Sequence, residues 1–300
     1  MRTNEEYRSM VEERLKQLLP EEPNAFAANN RPQLLAESMR YSVLAGGKRL
    51  RPCLLLAACE AFGGKAEEAL DFACAMEMIH TYSLIHDDLP GMDNDVLRRG
   101  KPTNHVVFGV GQAILAGDGL LNLAYEVMIK ASMRSENKAN CLKAMDAIAY
   151  GAGVNGMVAG QCADLYAENK RVSDDKDLLE YIQAGKTMCM IRGAVLAGAI
   201  LANASEEDIK AMSAYSYAFG ILFQVTDDIL DITADAEQFG KSKGKDAEEG
   251  KLTAVSVYGL EGARKEAERL KNEALSALET IQTDTTYFKD CLIKTYERNH

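Results

Sequence analysis

The sequence predicts a single all-α domain in which long helices pack as a bundle. Of the 300 residues, 47% are hydrophobic and only six are proline, so few positions interrupt a helix. Ala, Leu, Met, Glu and Lys, which favour helices, dominate the composition. Apolar residues recur at helical spacing over long segments, whereas runs of alternating β-branched residues are nearly missing. Helices this long pack as bundles whose binding sites lie between facing helices.

The first helix is predicted over residues 4–19, where apolar and charged residues alternate at helical spacing until Pro20. Asn203 and Ser205, followed by acidic residues, mark the start of a later helix. No change in composition marks a linker, so residues 1–300 are expected to form one domain. Short glycine-rich or polar segments separate the remaining predicted helices, which are 33–45, 50–62, 66–89, 110–131, 138–166, 175–201, 206–233 and 252–281.

Composition and termini restrict the class of protein. The formal net charge of −11 argues against nucleic acid as a partner, although local basic clusters can still bind an anionic substrate. The charged N-terminus MRTNEEYRSMVEERLKQL lacks the apolar core of a signal peptide, and no uncharged apolar run is long enough to predict a membrane span. The seven cysteines form no CxxC pair, which favours buried free thiols. We therefore expect a soluble cytoplasmic protein.

Two aspartate clusters end apolar helical segments. In LIHDDLPGMDND (84–95), residues 87–95 carry four aspartates and no basic residue, and VTDDILD (225–231) carries three more aspartates. Asp227 and Asp231 share one helix face, and the proline and glycine after Asp87 end the first helix. Crowded carboxylates repel one another, but all-oxygen ligands suit Mg²⁺, Ca²⁺ or Mn²⁺. A solvated acidic loop is the alternative for either cluster alone, and it does not explain both.

Other phosphate and metal motifs fit less well. An EF-hand counted from Asp87 has Leu89 at its third position, and one counted from Asp93 has Arg98 where glycine is required. The triplet GKS at 240–242 resembles the end of a P-loop, but its first glycine is missing. The sequence therefore favours carboxylates that hold a metal together with a phosphorylated ligand.

Basic residues follow both acidic clusters, and a third basic group lies in GGKRLRP (46–52). Each lysine or arginine taken alone is explained as a surface residue. The combination of acidic and basic clusters suits a metal-bound, phosphorylated ligand. Neither His80 nor His86 has the spacing of a zinc site, and no nucleophile with an adjacent base is recognisable. Chemistry driven by ionisation of a leaving group needs charge stabilisation and no protein nucleophile.

These motifs resemble the trans-isoprenyl diphosphate synthases, most closely the bacterial farnesyl diphosphate synthases. The resemblance runs from GGKRLRP through IHTYSLIHDDLPGMDNDVLRRGKPTNH to FQVTDDILD and FGKSKGKD, and so covers nearly the whole chain. It implies the isoprenoid-synthase helical bundle around a central cavity, usually as a homodimer. The implied substrates are isopentenyl diphosphate and an allylic diphosphate.

The resemblance also implies a role for each site residue. Asp87, Asp93 and Asp227 would ligate three Mg²⁺ ions, with Mn²⁺ as an alternative, and Asp88, Asp228 and Asp231 would complete the metal site. Arg98, Lys186, Lys241 and Lys251 would contact or lie near the allylic diphosphate. Lys48, Arg51, His80 and Arg99 would hold isopentenyl diphosphate. Thr187 and Gln224 would line the reacting carbons and stabilise a developing cation.

Product length is expected to depend on Tyr82, five residues before Asp87. In the family that the motifs resemble, a bulky residue there blocks the product tunnel, so the sequence predicts a fifteen-carbon farnesyl product. An ordinary core tyrosine is the alternative role for Tyr82. The alternative activities are a geranylgeranyl diphosphate synthase, a class I terpene cyclase and a non-catalytic prenyl synthase subunit. A cyclase leaves GGKRLRP and Arg99 unexplained, because it binds no second diphosphate.

Overall fold

The computed structural model describes residues 1–20, 33–233 and 250–298. Helices dominate this part of the chain, which confirms the predicted all-α class. They are α1 Asn4–Leu18, α2 Gln33–Val43, α3 Leu50–Ala61, α4 Ala66–Asp87, α5 Asn104–Phe108, α6 Val110–Arg134, α7 Lys138–Ala152, α8 Met157–Lys170, α9 Lys176–Ile182, α10 Cys189–Leu201, α11 Glu206–Thr233, α12 Ala254–Glu279 and α13 Thr286–Glu297. Strands β1 Leu97–Arg98 and β2 Lys101–Pro102 form a short antiparallel hairpin.

The centre of the bundle is formed by α4 and α10. α4 is buried on several sides, with Phe72, Met76 and Ile79 all at most 1% exposed. α4 packs on α6 and α3, α10 on α3 and α7, and α11 on α12. Burial of each large apolar side chain stabilises the fold by about 1.5–3 kcal/mol. One apolar core includes residues from both α1 and α13.

Polar side chains fix several helix starts that the sequence predicts. Thr3 accepts a hydrogen bond from the backbone N–H of Glu6, whose carboxylate accepts one from the N–H of Thr3, and this capping box begins α1. Ser205 accepts a hydrogen bond from the N–H of Asp208 at the start of α11. The predicted start of the helix at 206 is therefore confirmed.

Some predicted boundaries are wrong. The helix expected over 138–166 is two helices, because α7 ends at Ala152 and α8 begins at Met157. Two glycines lie in the intervening segment, and each costs a helix about 1 kcal/mol relative to alanine. The helix expected over 175–201 contains a π-helical turn, Gln183–Met188, and the one over 252–281 is kinked at Gly259. The sequence did not predict α5, α13 or the hairpin.

Two other predictions concern cysteines and membrane spans. All seven cysteines are free, and four of them are buried, but Cys162 is exposed. One described segment, Lys176–Leu201, is long and apolar enough to cross a membrane by length and composition. However, 61% of its most apolar window is buried within the bundle, as in a core helix of a globular protein.

Candidate active site

The functional residues meet at a cavity of about 1330 Å³. Residues from the start of α3, the C-terminal part of α4, the loop and hairpin after it, α8, the π-helical turn and α11 line this cavity. Apolar side chains such as Leu84, Met157, Leu165 and Phe223 form part of the lining. The cavity therefore combines a charged region with space for a hydrocarbon chain.

The first aspartate cluster forms one wall. α4 ends at Asp87, and the following loop turns back so that the N–H of Asp93 donates to the carbonyl oxygen of Asp87 at 2.8 Å. The side chains of Asp87 and Asp93 both line the cavity. Burial, together with the nearby Asp93, raises the pKa of Asp87 to about 6, although Lys186 acts in the opposite direction. Burial therefore makes the ionised form of Asp87 costly.

Asp88 is turned away from the main cavity and holds Arg98. Nε of Arg98 donates to both carboxylate oxygens of Asp88, at 2.8 and 2.9 Å. Asp88 is 3% exposed, and burial raises its pKa even though Arg98 lowers it. Arg98 also lines the cavity. Asp88 thus fixes the guanidinium that the resemblance implies for the allylic diphosphate.

The second aspartate cluster lies on α11, which contributes another part of the cavity lining. Asp227 lines the cavity, whereas Asp228 is 4% exposed and accepts hydrogen bonds from Gln224 Nε2 at 2.9 Å and from the N–H of Ala254 at 2.8 Å. Oδ2 of Asp231 is buried without a hydrogen-bond partner among the described residues. Asp228 therefore ties α11 to the first turn of α12, and Asp227 is the member of this cluster that faces the cavity.

The π-helical turn presents Lys186 and Thr187. Thr187 Oγ1 donates to Gln224 Oε1 at 2.7 Å, which fixes both oxygens at the cavity wall. Lys186 Nζ donates to Oδ2 of Asp164 on α8 at 2.6 Å. Burial would lower the pKa of Lys186, but Asp164 and Asp87 outweigh it and raise the pKa. Extra-wide turns of this kind occur frequently at functional sites.

Lys48, Arg51, His80 and Arg99 line another part of the same cavity. Burial, Arg51 and Arg99 hold the pKa of His80 well below its usual range, so the ring is neutral near pH 7. His80 Nε2 lies 3.4 Å from Arg51 Nη1 and accepts from it in the tautomer that this contact favours. Arg51 Nε is buried without a hydrogen-bond partner among the described residues. This group is suited to an anionic ligand.

Arg49 explains how the GGKR turn is held. Its guanidinium is fully buried and donates to Glu12 at 2.8 Å, to Glu77 at 2.5 Å and to the carbonyl of Val43 at 2.5 Å. Gly47 has a φ of +131°, which favours glycine, and a Cβ added there would also lie 2.6 Å from Cζ of Arg99. Arg49 therefore supports the turn, and its neighbours Lys48 and Arg51 line the cavity.

Two further basic side chains lie close to the cavity aspartates. Lys251 Nζ lies 3.7 Å from Asp93 Oδ2, as expected of a lysine near the allylic site. Arg298 Nη2 lies 3.5 Å from Asp227 Oδ1, and its guanidinium stacks 5.0 Å from the centre of the Phe223 ring. Lys241, which the sequence assigns to the allylic diphosphate, lies outside the described residues.

The carboxylates fit magnesium when a phosphorylated ligand completes its coordination. Asp87 and Asp93 from the end of α4 and the loop after it, and Asp227 from α11, line the cavity with the oxygen donors that Mg²⁺ prefers. Within residues 1–20, 33–233 and 250–298, no group of three or more metal-binding side chains is close enough to hold an ion alone. Mg²⁺ normally uses one or two carboxylates and takes its other ligands from water and substrate phosphates. Carboxylates that are too far apart to hold an ion alone therefore agree with Mg²⁺ bound together with a diphosphate.

Tyr82 lies where the sequence predicts a barrier to the product. It is 8% exposed and lines the cavity, and burial raises its pKa to about 12. The Tyr82 ring contacts that of His86 edge to face, with centroids 5.7 Å apart. Tyr82 is thus part of the cavity wall, and its role in product length stays a prediction.

Sequence reasoning missed the contributions of Asp164, Arg298 and His86. Asp164 lies on α8, 22 residues before Lys186 in the chain, so no pattern around Lys186 indicates their contact. The one signal in the sequence is an acidic residue on a half-apolar helix. Arg298 lies in the C-terminal YERNH, where nothing in the local pattern indicates contact with Asp227. The spacing of His86 argues against a zinc site and indicates no other role, although it is four residues from Tyr82 and shares its helix face.

Comparisons with known proteins agree with this site. A family model for polyprenyl synthetase matches residues 32–290. A chloroplastic geranylgeranyl pyrophosphate synthase of Arabidopsis thaliana is 48% identical over 247 residues, which cover 81% of this chain and 68% of the relative.

Solved structures give the same picture. An FPP/GFPP synthase from Zymomonas mobilis superposes with a TM-score of 0.84 at 34% identity, over 98% of this chain and 97% of the other. A geranyltransferase from Helicobacter pylori, complexed with magnesium and isoprenyl diphosphate, superposes with a TM-score of 0.81 at 30% identity, over 99% and 97%.

Proposed function

Since the chain belongs to the polyprenyl synthetase family and is a prenyltransferase, we propose that it joins isopentenyl diphosphate to an allylic diphosphate. The family match confirms the resemblance to trans-isoprenyl diphosphate synthases. One observation carries the proposal. A single cavity is lined by the carboxylates Asp87, Asp93 and Asp227 with Arg98 and Lys186, and also by Lys48, Arg51, His80 and Arg99, in which Arg51 contacts His80. Two diphosphates of different charge environment are the ligands that this arrangement suits.

The condensation follows from these two regions. The C–O bond of the allylic diphosphate breaks, and pyrophosphate leaves with both electrons. The double bond of isopentenyl diphosphate then supplies an electron pair to the allylic carbon, forming the new C–C bond, and a proton is lost to the released pyrophosphate. Thr187 and Gln224 present oxygens that stabilise the cation, and Arg98 and Lys186 neutralise the leaving group.

Magnesium is the metal we propose, with Asp87, Asp93 and Asp227 holding it. When bound, it neutralises the charge that develops on departing pyrophosphate. Asp88, Asp228 and Asp231 support the site, in keeping with the partners of Asp88 and Asp228 described above. Mn²⁺ is an alternative ion, and three ions is the number expected from the family.

For product length, we take geranylgeranyl diphosphate, with twenty carbons, as the main product. The Arabidopsis relative at 48% identity is named a geranylgeranyl pyrophosphate synthase, so the alternative weighed from the sequence is better supported than the farnesyl product expected first. Farnesyl diphosphate is the second candidate, because the bulky Tyr82 lines the cavity. The apo Zymomonas mobilis structure, an FPP/GFPP synthase, shows that relatives differ in product.

The test is to incubate the purified protein with Mg²⁺, labelled isopentenyl diphosphate and dimethylallyl, geranyl or farnesyl diphosphate, and to size the dephosphorylated products. A dominant twenty-carbon alcohol supports the main proposal. A dominant fifteen-carbon alcohol supports the farnesyl candidate and assigns the stop to a residue such as Tyr82. Absence of any elongated product, from protein that is folded by circular dichroism, would overturn both.

We also propose a single polyprenyl synthase domain over 1–300 and a homodimer. Valines and an isoleucine on α5 and α6 are 41–50% exposed and form an apolar surface, namely Val106, Val107, Val110 and Ile114. A second copy of the chain would bury this surface. Analytical ultracentrifugation of the wild type and of Val110→Lys tests this, since a monomeric wild type would contradict it. Cytoplasmic location stays a prediction.

A further inference from the structure

Two rings on α4 form a continuous part of the cavity wall. Tyr82 and His86 are four residues apart, so they lie on the same face of the helix, and both line the cavity. Their ring planes meet at 80° with centroids 5.7 Å apart, which is a favourable edge-to-face arrangement. Any feature that moves the His86 ring therefore changes the same wall to which Tyr82 contributes.

The position of the His86 ring depends on α6. Nε2 of His86 lies 3.1 Å from the carbonyl oxygen of Ile114 and, as N–H, donates to it. Asp118 on α6 lies 3.9 Å from the same nitrogen. A Cβ added at Gly117 would lie 2.9 Å from Cε1 of His86 and closer still to Cδ2 and Nε2. The ring therefore occupies the space that a side chain at position 117 would need.

We propose that His86, recessed against Gly117, is a second determinant of product length beside Tyr82. This inference rests on the proposed chain elongation. With glycine at 117, the imidazole lies back against α6 and leaves cavity volume for the growing chain. A methyl group at 117 would push the ring off α6, and the cavity is the open side towards which it can turn. The pair His86–Gly117 thus sets the depth of the wall beside Tyr82.

The inference predicts opposite effects for two substitutions. Gly117→Ala should shorten the product by one five-carbon unit, because the displaced imidazole narrows the cavity. His86→Ala should lengthen it by one unit, because it removes the ring. The matched control is Gly119→Ala on the same helix, where an added Cβ meets only the flexible side chains of Met39 and Leu35 on α2. This control should keep the product distribution of the wild type.

The experiment sizes the dephosphorylated products of the four purified proteins with Mg²⁺, isopentenyl diphosphate and geranyl diphosphate. We expect the ratio of shorter to longer product to rise at least about tenfold in Gly117→Ala, equivalent to 1.4 kcal/mol, and to fall in His86→Ala. The readout is product length and not reaction rate, because His86 is adjacent to the proposed metal ligand Asp87 and its replacement can change the rate through that site. If Gly117→Ala does not fold, the product lengths of His86→Ala alone test the inference. A shift to longer products supports it, and the product distribution of the wild type overturns it.

Two results overturn the inference in distinguishable ways. If the wild type elongates and both Gly117→Ala and His86→Ala give its product distribution, His86 does not determine length, and the proposed function stands. If no protein, including the wild type, forms any elongated product, the proposed function fails and this inference fails with it.

Discussion

Replacing Asp87 by Asn is expected to stabilise the protein when no divalent cation is present. Asp87 is packed at the end of α4 close to Asp93, and its pKa is about 6 instead of the ordinary 3.8, chiefly because of burial. The folded protein therefore binds this proton more tightly than the unfolded chain does. Asparagine keeps the shape of the side chain and removes its charge.

The magnitude follows from the two pKa values. Their difference corresponds, at about 1.4 kcal/mol for each tenfold change in affinity, to about 3 kcal/mol. Because the folded-state pKa is raised, the contribution of Asp87 to stability is fully present below about pH 3.8 and is lost as the pH rises through about 6. The gain from Asp87→Asn is therefore expected to be largest at pH 8, at about 3 kcal/mol, and about half as large at pH 5.

The assay is urea unfolding in EDTA at pH 8 and pH 5, followed by circular dichroism. Asp146→Asn, at an exposed position on α7, is the matched control and should change the free energy of unfolding by less than about 0.5 kcal/mol. Asp87→Asn that destabilises the protein, or that has the same effect at both pH values, would refute the reasoning. With saturating Mg²⁺ and pyrophosphate the order should reverse, because the wild type gains a ligand that the variant binds poorly.

Four further outcomes are expected. Tyr82→Ala should lengthen the main product by at least one five-carbon unit, and a folded variant with the wild-type product would remove Tyr82 from this role. Arg51→Lys should raise the KM for isopentenyl diphosphate roughly tenfold or more, because a lysine cannot reproduce the two parallel donors of the guanidinium. The KM for the allylic substrate should change little, and equal changes in both KM values would contradict two separate sites. Asp164→Asn should lower kcat by about one to two orders of magnitude, because Lys186 loses the carboxylate 2.6 Å away, and an unchanged kcat would make that pair purely structural. EDTA should abolish elongation, with Mn²⁺ restoring part of it, and activity that persists in EDTA would contradict a metal site.

Local patterns were sufficient where one helix carries the information. The length and apolar character of α4, its end before Pro90, and the shared face of Asp227 and Asp231 all follow from spacing within a few turns. Asp87, Asp93 and Asp227 line one cavity, which agrees with sites between facing helices of a bundle, but their assignment as metal ligands came from the family resemblance.

Features that depend on contact between distant segments could not be predicted. The π-helical turn before α10 has no signal in the local pattern, whereas the division of 138–166 into α7 and α8 has one only in Gly153 and Gly156. Asp164 reaches Lys186 from 22 residues away, and Asp88 turns to Arg98 instead of the cavity. Helical periodicity says which face is apolar, but it does not say which polar side chain on another helix that face will meet.

The most direct test of the central claim couples two measurements in one reaction. Purified protein is incubated with Mg²⁺ and geranyl diphosphate, with or without isopentenyl diphosphate, and pyrophosphate and prenyl products are quantified together. The account predicts one pyrophosphate for each five-carbon unit added, and almost none without isopentenyl diphosphate or in EDTA. Equal pyrophosphate release in the absence of isopentenyl diphosphate would indicate a cyclase or hydrolysis of the allylic C–O bond and would contradict a cavity that binds two diphosphates.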